Sequence, residues 1–232
     1  MIKIENIETM GWEAAIRGMR NPMNSWDKSD SAFVSTEGIS PTDIPIYTDD
    51  DDNFGIFVIG TNDQKLMLRL RESGTDHRKF MRMITVYMDI TAPLYWWKEF
   101  DTYKVGTVAD SCSTMHKLTA KEFALDDFSH EHLNVAGNNA LAEIIGILNL
   151  LREAYLGYEI KIPEWKKDIW YMMIQLLPSS YNQRRTVMLN YEVLANMYKS
   201  RKSHKLDEWR DFCRWIEGLP FSKLIIGETP KT

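Results

Sequence analysis

The chain has 232 residues, 44% of them hydrophobic and 26% charged, with a formal net charge of -5. That length fits one large domain or two small ones. The acidic balance argues against broad binding to long nucleic acid, and no apolar run nears the roughly 20 residues that cross a bilayer.

Ile2, Ile4 and Ile7 mark a short first strand. A helix is predicted over 11–20, closed before Pro22. The next stretch, 21–52, is polar, turn-rich and irregular, and reads as a loop over a site or a surface insertion. Its aspartate run, 49–52, has no histidines at metal-ligand spacing and reads as a solvated acidic turn. Residues 54–59 read as a strand. Thr61 and Gln64 look like a capping box for a helix to about Arg71, with Gly74 as its stop. A short helical start follows near Asp76. Residues 83–90 are rich in β-formers. Thr91 and Pro93 then fit the start of a helix carrying Trp96, Trp97, Lys98 and Phe100. Thr119 and Glu122 offer a second capping box. Helices are predicted over 139–155, 165–177, 184–200 and 207–217, with Pro178, Gly218 and Pro220 as stops. This order lacks a regular strand–helix alternation. It predicts an α+β fold, a modest mixed or antiparallel sheet packed with several long helices, as a single domain over 1–232.

The start, MIKIENIETM, lacks a long apolar core and reads as mature protein. Cys112 and Cys213 form no CxxC pair, so no disulfide framework is expected and cytoplasmic residence is the simpler reading. His77, Arg78, Lys79 and Arg82 cluster. If helical, Arg78 and Arg82 share a face that suits phosphate, and they read equally as solvated charges or as partners for nearby acids. Arg184, Arg185, Arg201, Lys202, His204 and Lys205 form a second basic group, either a mononucleotide phosphate pocket or a charged helix end. Tyr103 can hydrogen-bond or stack on a flat ring, and Lys104 can balance phosphate. Both have bland readings, as packing and as an exposed lysine. Ser111, Cys112 and Ser113 lack a Gly-x-Ser-x-Gly elbow, and His116 is near them only in sequence, so covalent catalysis is not expected. No HExxH, Walker loop, GxGxxG turn or zinc-deaminase signature occurs, and no metal site is expected.

Three stretches, GTDHRKFMRMITVYMDITAP (74–93), APLYWWKEFDTYKVGTVADSCST (92–114) and LLPSSYNQRRTVMLNYEVLANMYKSRKSHKLDEW (176–209), together resemble the flavin-dependent thymidylate synthases. The resemblance covers about 50–215 and is best carried by Leu177–Pro178, Tyr181, Asn190, Leu194 and Arg201. The family's Arg-His-Arg falls on Thr102, Tyr103 and Lys104. Its next serine falls on Thr107, and its Asn-Glu on Ala109 and Asp110. A later serine falls on Cys112 or Ser113, and the last arginine of that signature near Thr114. A family histidine matches His77. The Glu-His pair after it lands on Arg82 and Met83. An arginine two places after the asparagine becomes Glu192, and the late arginine is kept as Arg201.

The resemblance implies a homotetramer with active sites where subunits meet. It implies FAD as cofactor, NADPH as hydride source, methylenetetrahydrofolate as carbon donor and dUMP, or another pyrimidine mononucleotide, as substrate. Arg201 and Lys104 are then the catalytic candidates. His77, Arg82, Tyr103, Thr107, Asp110 and Asn190 are the cofactor-binding candidates. The alternatives are a related nucleotide-modifying enzyme with a different donor, and a noncatalytic member of the fold that binds a nucleotide or a protein.

Overall fold

The computed structural model describes residues 1–35, 55–113, 117–157 and 163–227. Its elements run β1 (Lys3–Met10), α1 (Trp12–Arg20), β2 (Ala32–Ser35), β3 (Gly55–Val58), α2 (Thr61–Glu72), a 3-10 segment (His77–Arg82), β4 (Thr85–Pro93), α3 (Leu94–Phe100), β5 (Val108–Ser111), α4 (Val135–Leu156), α5 (Pro163–Leu176), β6 (Asn182–Asn190), α6 (Tyr191–Arg201), α7 (Asp207–Glu217) and α8 (Lys223–Ile226). The fold is α+β. Four strands form a sheet in the order β1-β4-β6-β5, and β2 pairs antiparallel with β3 in the register Ala32↔Val58. Among the described residues, no helix is long and apolar enough to cross a membrane.

The chain divides into two compact units. The first comprises Met1–Glu5, Asp89–Thr102 and Ala109–Thr186. Its core joins Leu141 and Leu148 of α4 to Ile169 and Met173 of α5, with Phe123 and Phe128 from the preceding chain. Asn134 caps α4 by accepting from the Gly137 amide at 2.9 Å, a contact worth about 1 kcal/mol. Trp96, Trp97 and Phe100 of α3 are fully buried. The Trp97 indole donates to the Gln183 carbonyl at 2.9 Å. Arg185 lies over the Trp97 ring at 4.2 Å and pairs with Asp101 at 2.7 Å.

The second unit comprises Asn6–Met88, Tyr103–Val108 and Val187–Thr232. Trp12, Ile16 and Met19 recur at helical spacing on α1 and are buried. Trp209, Phe212, Cys213 and Ile216 do the same on α7, one apolar stripe facing the core. Trp12 meets Tyr191 edge-on with ring centres 5.1 Å apart. Arg20 and Asp63 are buried together at 2.7 Å. Asp63 also accepts from the Ser29 and Ser31 hydroxyls and from the Asp30 and Ser31 amides. Burial pushes its carboxyl up, but those serines and Arg20 outweigh burial and hold it below the usual range.

Several predicted elements differ. The helix expected over 184–200 is a strand up to Asn190 and a helix after it. Gln183, Val187 and Leu189 bury at even spacing, the period of a strand. Asn190 then caps α6 by accepting from the Val193 amide at 3.0 Å. Thr61 is the first residue of α2 and not its cap. The Asp30 carboxylate accepts from the Asn62 and Asp63 amides at 2.8 and 3.1 Å instead. Gly60 leaves the room this needs, since a Cβ there would stand 2.2 Å from Asp30 Cγ. Thr91 lies within β4, and Pro93 holds the cap position of α3. Thr119 and Glu122 open no helix. Phe123 and Phe128, the buried aromatics that follow, stand five places apart, a spacing that no single helix face provides. The stretch after Arg20 is not wholly irregular, because it contains two 3-10 turns and β2. β5 is a further strand that the sequence pattern does not predict. The aspartates at 49–52 lie outside the described residues.

Candidate functional site

In the second unit, the end of α6, the segment 103–108 and the start of α7 bring three side chains together. Arg201 Nε donates to the Tyr103 hydroxyl at 3.0 Å. Its guanidinium lies 5.7 Å from the Tyr103 ring centre and 4.9 Å from that of Trp209. The two rings are 6.1 Å apart, and His204 stands 6.3 Å from Trp209. Trp209 is fully buried, while Arg201, Tyr103 and His204 are half-buried. Two aromatic faces fix a planar cation that keeps some access to solvent.

One amide places Tyr103's segment against the helix that carries Arg201. Asn190 caps α6 through its oxygen, and its Nδ2 donates to the Gly106 carbonyl at 3.4 Å. Gly106 has φ +76°, and a Cβ there would stand 2.6 Å from Asn190 Nδ2. Only glycine takes that turn without strain. Next to it, the Thr107 hydroxyl oxygen is buried with no hydrogen-bond partner among the described residues. Such a group costs about 1–3 kcal/mol until something pairs with it.

The 3-10 segment does turn Arg78 and Arg82 to one side, and both meet a carboxylate there. Arg78 Nε donates to Glu192 at 3.2 Å, and Arg82 Nε donates to the other Glu192 oxygen. Arg78 also reaches Asn196 Oδ1 at 3.3 Å. Burial pushes the Glu192 carboxyl up, but the hydrogen bonds and charges of Arg82 and Arg78 outweigh it and leave it lowered.

The other candidates are spread out. His77 and Lys104 are exposed. Asp110 is exposed on β5 in the first unit. Arg184 and Arg185 also belong to the first unit and are engaged by Asp89 and Asp101, each at 2.7 Å. Cys112 is exposed, its amide bonded to the Arg184 carbonyl and its carbonyl to Gln183. Thr114 and His116 lie outside the described residues. No cluster of His, Cys, Asp or Glu among the described residues is placed to hold a metal ion. Sequence reasoning missed Trp209 as a neighbour of Arg201 and Glu192 as the partner of two arginines. Glu192 depends on where β6 ends and α6 begins, and Trp209 on the turn between α6 and α7.

No family model matches the chain, and no curated protein matches it in sequence. Solved structures do match in fold. Thymidylate synthase X from Helicobacter pylori, with FAD and dUMP, superposes with TM-score 0.63 and 16% identity, over 97% of this chain and 96% of that one. Another structure of the flavin-dependent thymidylate synthase of Helicobacter pylori, complexed with FAD and dUMP, gives TM-score 0.60 and 17% identity over 95% and 96%. At such identity the likeness shows the fold, and it shows it nearly end to end.

Proposed function

We propose that this chain, which has the fold of the flavin-dependent thymidylate synthases, binds a pyrimidine mononucleotide at the Tyr103–Arg201 centre and methylates dUMP to dTMP. FAD would be its cofactor, NADPH its hydride source and methylenetetrahydrofolate its carbon donor. One observation carries this reading. Tyr103 and Arg201 are 98 residues apart and were matched separately to the family's signature and to its late arginine, and they are hydrogen-bonded.

The residues present offer FAD a partial fit: the half-buried Tyr103 ring, backed by the buried Trp209, and an unused buried hydroxyl at Thr107. Bound FAD would supply the relay of hydride from NADPH to the transferred carbon. The chain's own groups bind and orient. Arg201 polarises the pyrimidine, and Tyr103 fixes its guanidinium. Thr107 donates its hydroxyl to a ligand acceptor. Lys104 balances phosphate, and His77 holds a cofactor edge. Arg82 is paired with Glu192, yet its side chain is 56% exposed, so a second N–H edge can meet phosphate. Asn190 acts through Gly106, as a positioning residue. Asp110 orients a basic group or a nucleotide hydroxyl. The whole chain serves as one catalytic domain in the cytoplasm.

The apolar character of α4 supports a homotetramer. Val135, Ile147, Leu150 and Leu156 are all exposed on it, and a helix apolar on several sides calls for cover on them. A second reading has its own observation. Glu192 puts a carboxylate where the family has an arginine, and only Lys104 keeps charge from Arg-His-Arg. That favours a member that binds a nucleotide or a protein without methyl transfer, or one with altered donor chemistry. Formation of dTMP from dUMP, with FAD, NADPH and methylenetetrahydrofolate supplied, tests the first reading. Flavin absorbance without turnover supports the second. A protein that stays colourless after incubation with FAD rules out the flavin enzyme.

A further inference from the structure

Away from the Arg201 centre, α1, α2 and the turn between α1 and β2 enclose an open cavity of about 600 Å³. Arg20, Lys28, Lys65 and Arg69 line it, with Ser25 and Asn62 as neutral polar groups and Met23 and Leu66 as apolar wall. No carboxylate lines it among the described residues.

The four cations are not equivalent. Arg20 is a strut. Its N–H groups reach Asp63, the Ser25 carbonyl and hydroxyl, and the Lys28 carbonyl, which uses the guanidinium fork. It fixes the floor and the Ser25–Lys28 turn. Lys28, Lys65 and Arg69 are exposed, and none makes a side-chain hydrogen bond or ion pair with a described residue. Lys65 and Arg69 are one helical turn apart on α2, a like-charge spacing that disfavours the helix. An anion held between them removes that repulsion.

We propose that this cavity binds a small phosphate monoester. Arg69 gives the phosphate a planar two-pronged contact, and Lys65 and Lys28 close on it as point charges. Three cations without a side-chain partner among the described residues match a dianion better than a single carboxylate. Met23 and Leu66 take a flat or apolar body attached to the phosphate. The site is independent of the nucleotide reading of Arg201 and shares no residue with it.

The test is calorimetric titration of the full chain with phenyl phosphate, with acetate as the carboxylate control. Phenyl phosphate is expected to bind saturably and more tightly than acetate, and to weaken as salt is raised. A Lys65→Gln/Arg69→Gln double variant should weaken binding about tenfold or more. Its unfolding midpoint should stay level or rise, because a repulsive pair is gone. Lys28→Gln, on a different element, should weaken binding as well. Arg201→Ala should leave it unchanged, which separates this site from the proposed catalytic centre. Overturning results are no saturable binding by the parent chain, equal affinity in the double variant, or loss of binding only in Arg201→Ala.

Discussion

Arg20–Asp63 and Arg82–Glu192 are both arginine–carboxylate pairs of the second unit, joined across 43 and 110 residues of chain. They are enclosed very differently. In the first pair the side chains are 4% and 0% exposed. In the second the carboxylate is 8% exposed, but Arg82 is 56% exposed. The first is a closed knot of serines, amides and one arginine around a single carboxylate. The second is a buried anion with a cation reaching into solvent. Enclosure therefore separates a device that holds the fold from one that can also meet a ligand.

The largest expected effect breaks the closed knot. Asp63→Ala leaves Arg20 buried without its counter-charge, and about 3–5 kcal/mol of stability should go. Urea unfolding measures it. A loss under about 1 kcal/mol would put Asp63 with ordinary surface carboxylates. Glu192→Gln comes next. It keeps the shape but not the charge facing Arg78 and Arg82, and about 1.5–3 kcal/mol is expected. Arg82→Ala should cost less, about 0–1 kcal/mol, because it is mostly exposed and Arg78 remains.

Acid acts on both pairs with the same sign. Both carboxyls titrate below their usual values in the folded chain. Their stability is therefore present above the unfolded value of about 4 and is lost as pH falls through the folded values. Urea midpoints taken down through that range should fall for the parent chain. They should fall less for Glu192→Gln. Equal acid slopes for the two proteins would remove Glu192 from the account.

The same contrast shows what was legible in the sequence. The α7 stripe of Trp209, Phe212, Cys213 and Ile216 could be read because a helix repeats its signal locally. So could the stop at Pro178. The strand β6 looks helical in the sequence because of its arginines, and its evidence, alternate burial of Val187 and Leu189, needs the sheet around it. That likeness hides Glu192, which begins α6 behind the Asn190 cap. The cap from Asp30 to α2 was unreadable for a related reason. Its two partners lie about thirty residues apart, with no local pattern joining them. Of the candidate site, Arg201 and Tyr103 were named from motif order, whereas Trp209 needed the turn between α6 and α7.

The central claim is that the Tyr103–Arg201 centre holds a pyrimidine nucleotide. The direct measurement is calorimetric titration of dUMP into the FAD-incubated chain and into its Arg201→Ala variant. The account predicts saturable binding that weakens by about tenfold or more in the variant, the loss expected when a charged hydrogen bond is removed. Equal affinity of both proteins for dUMP would contradict it.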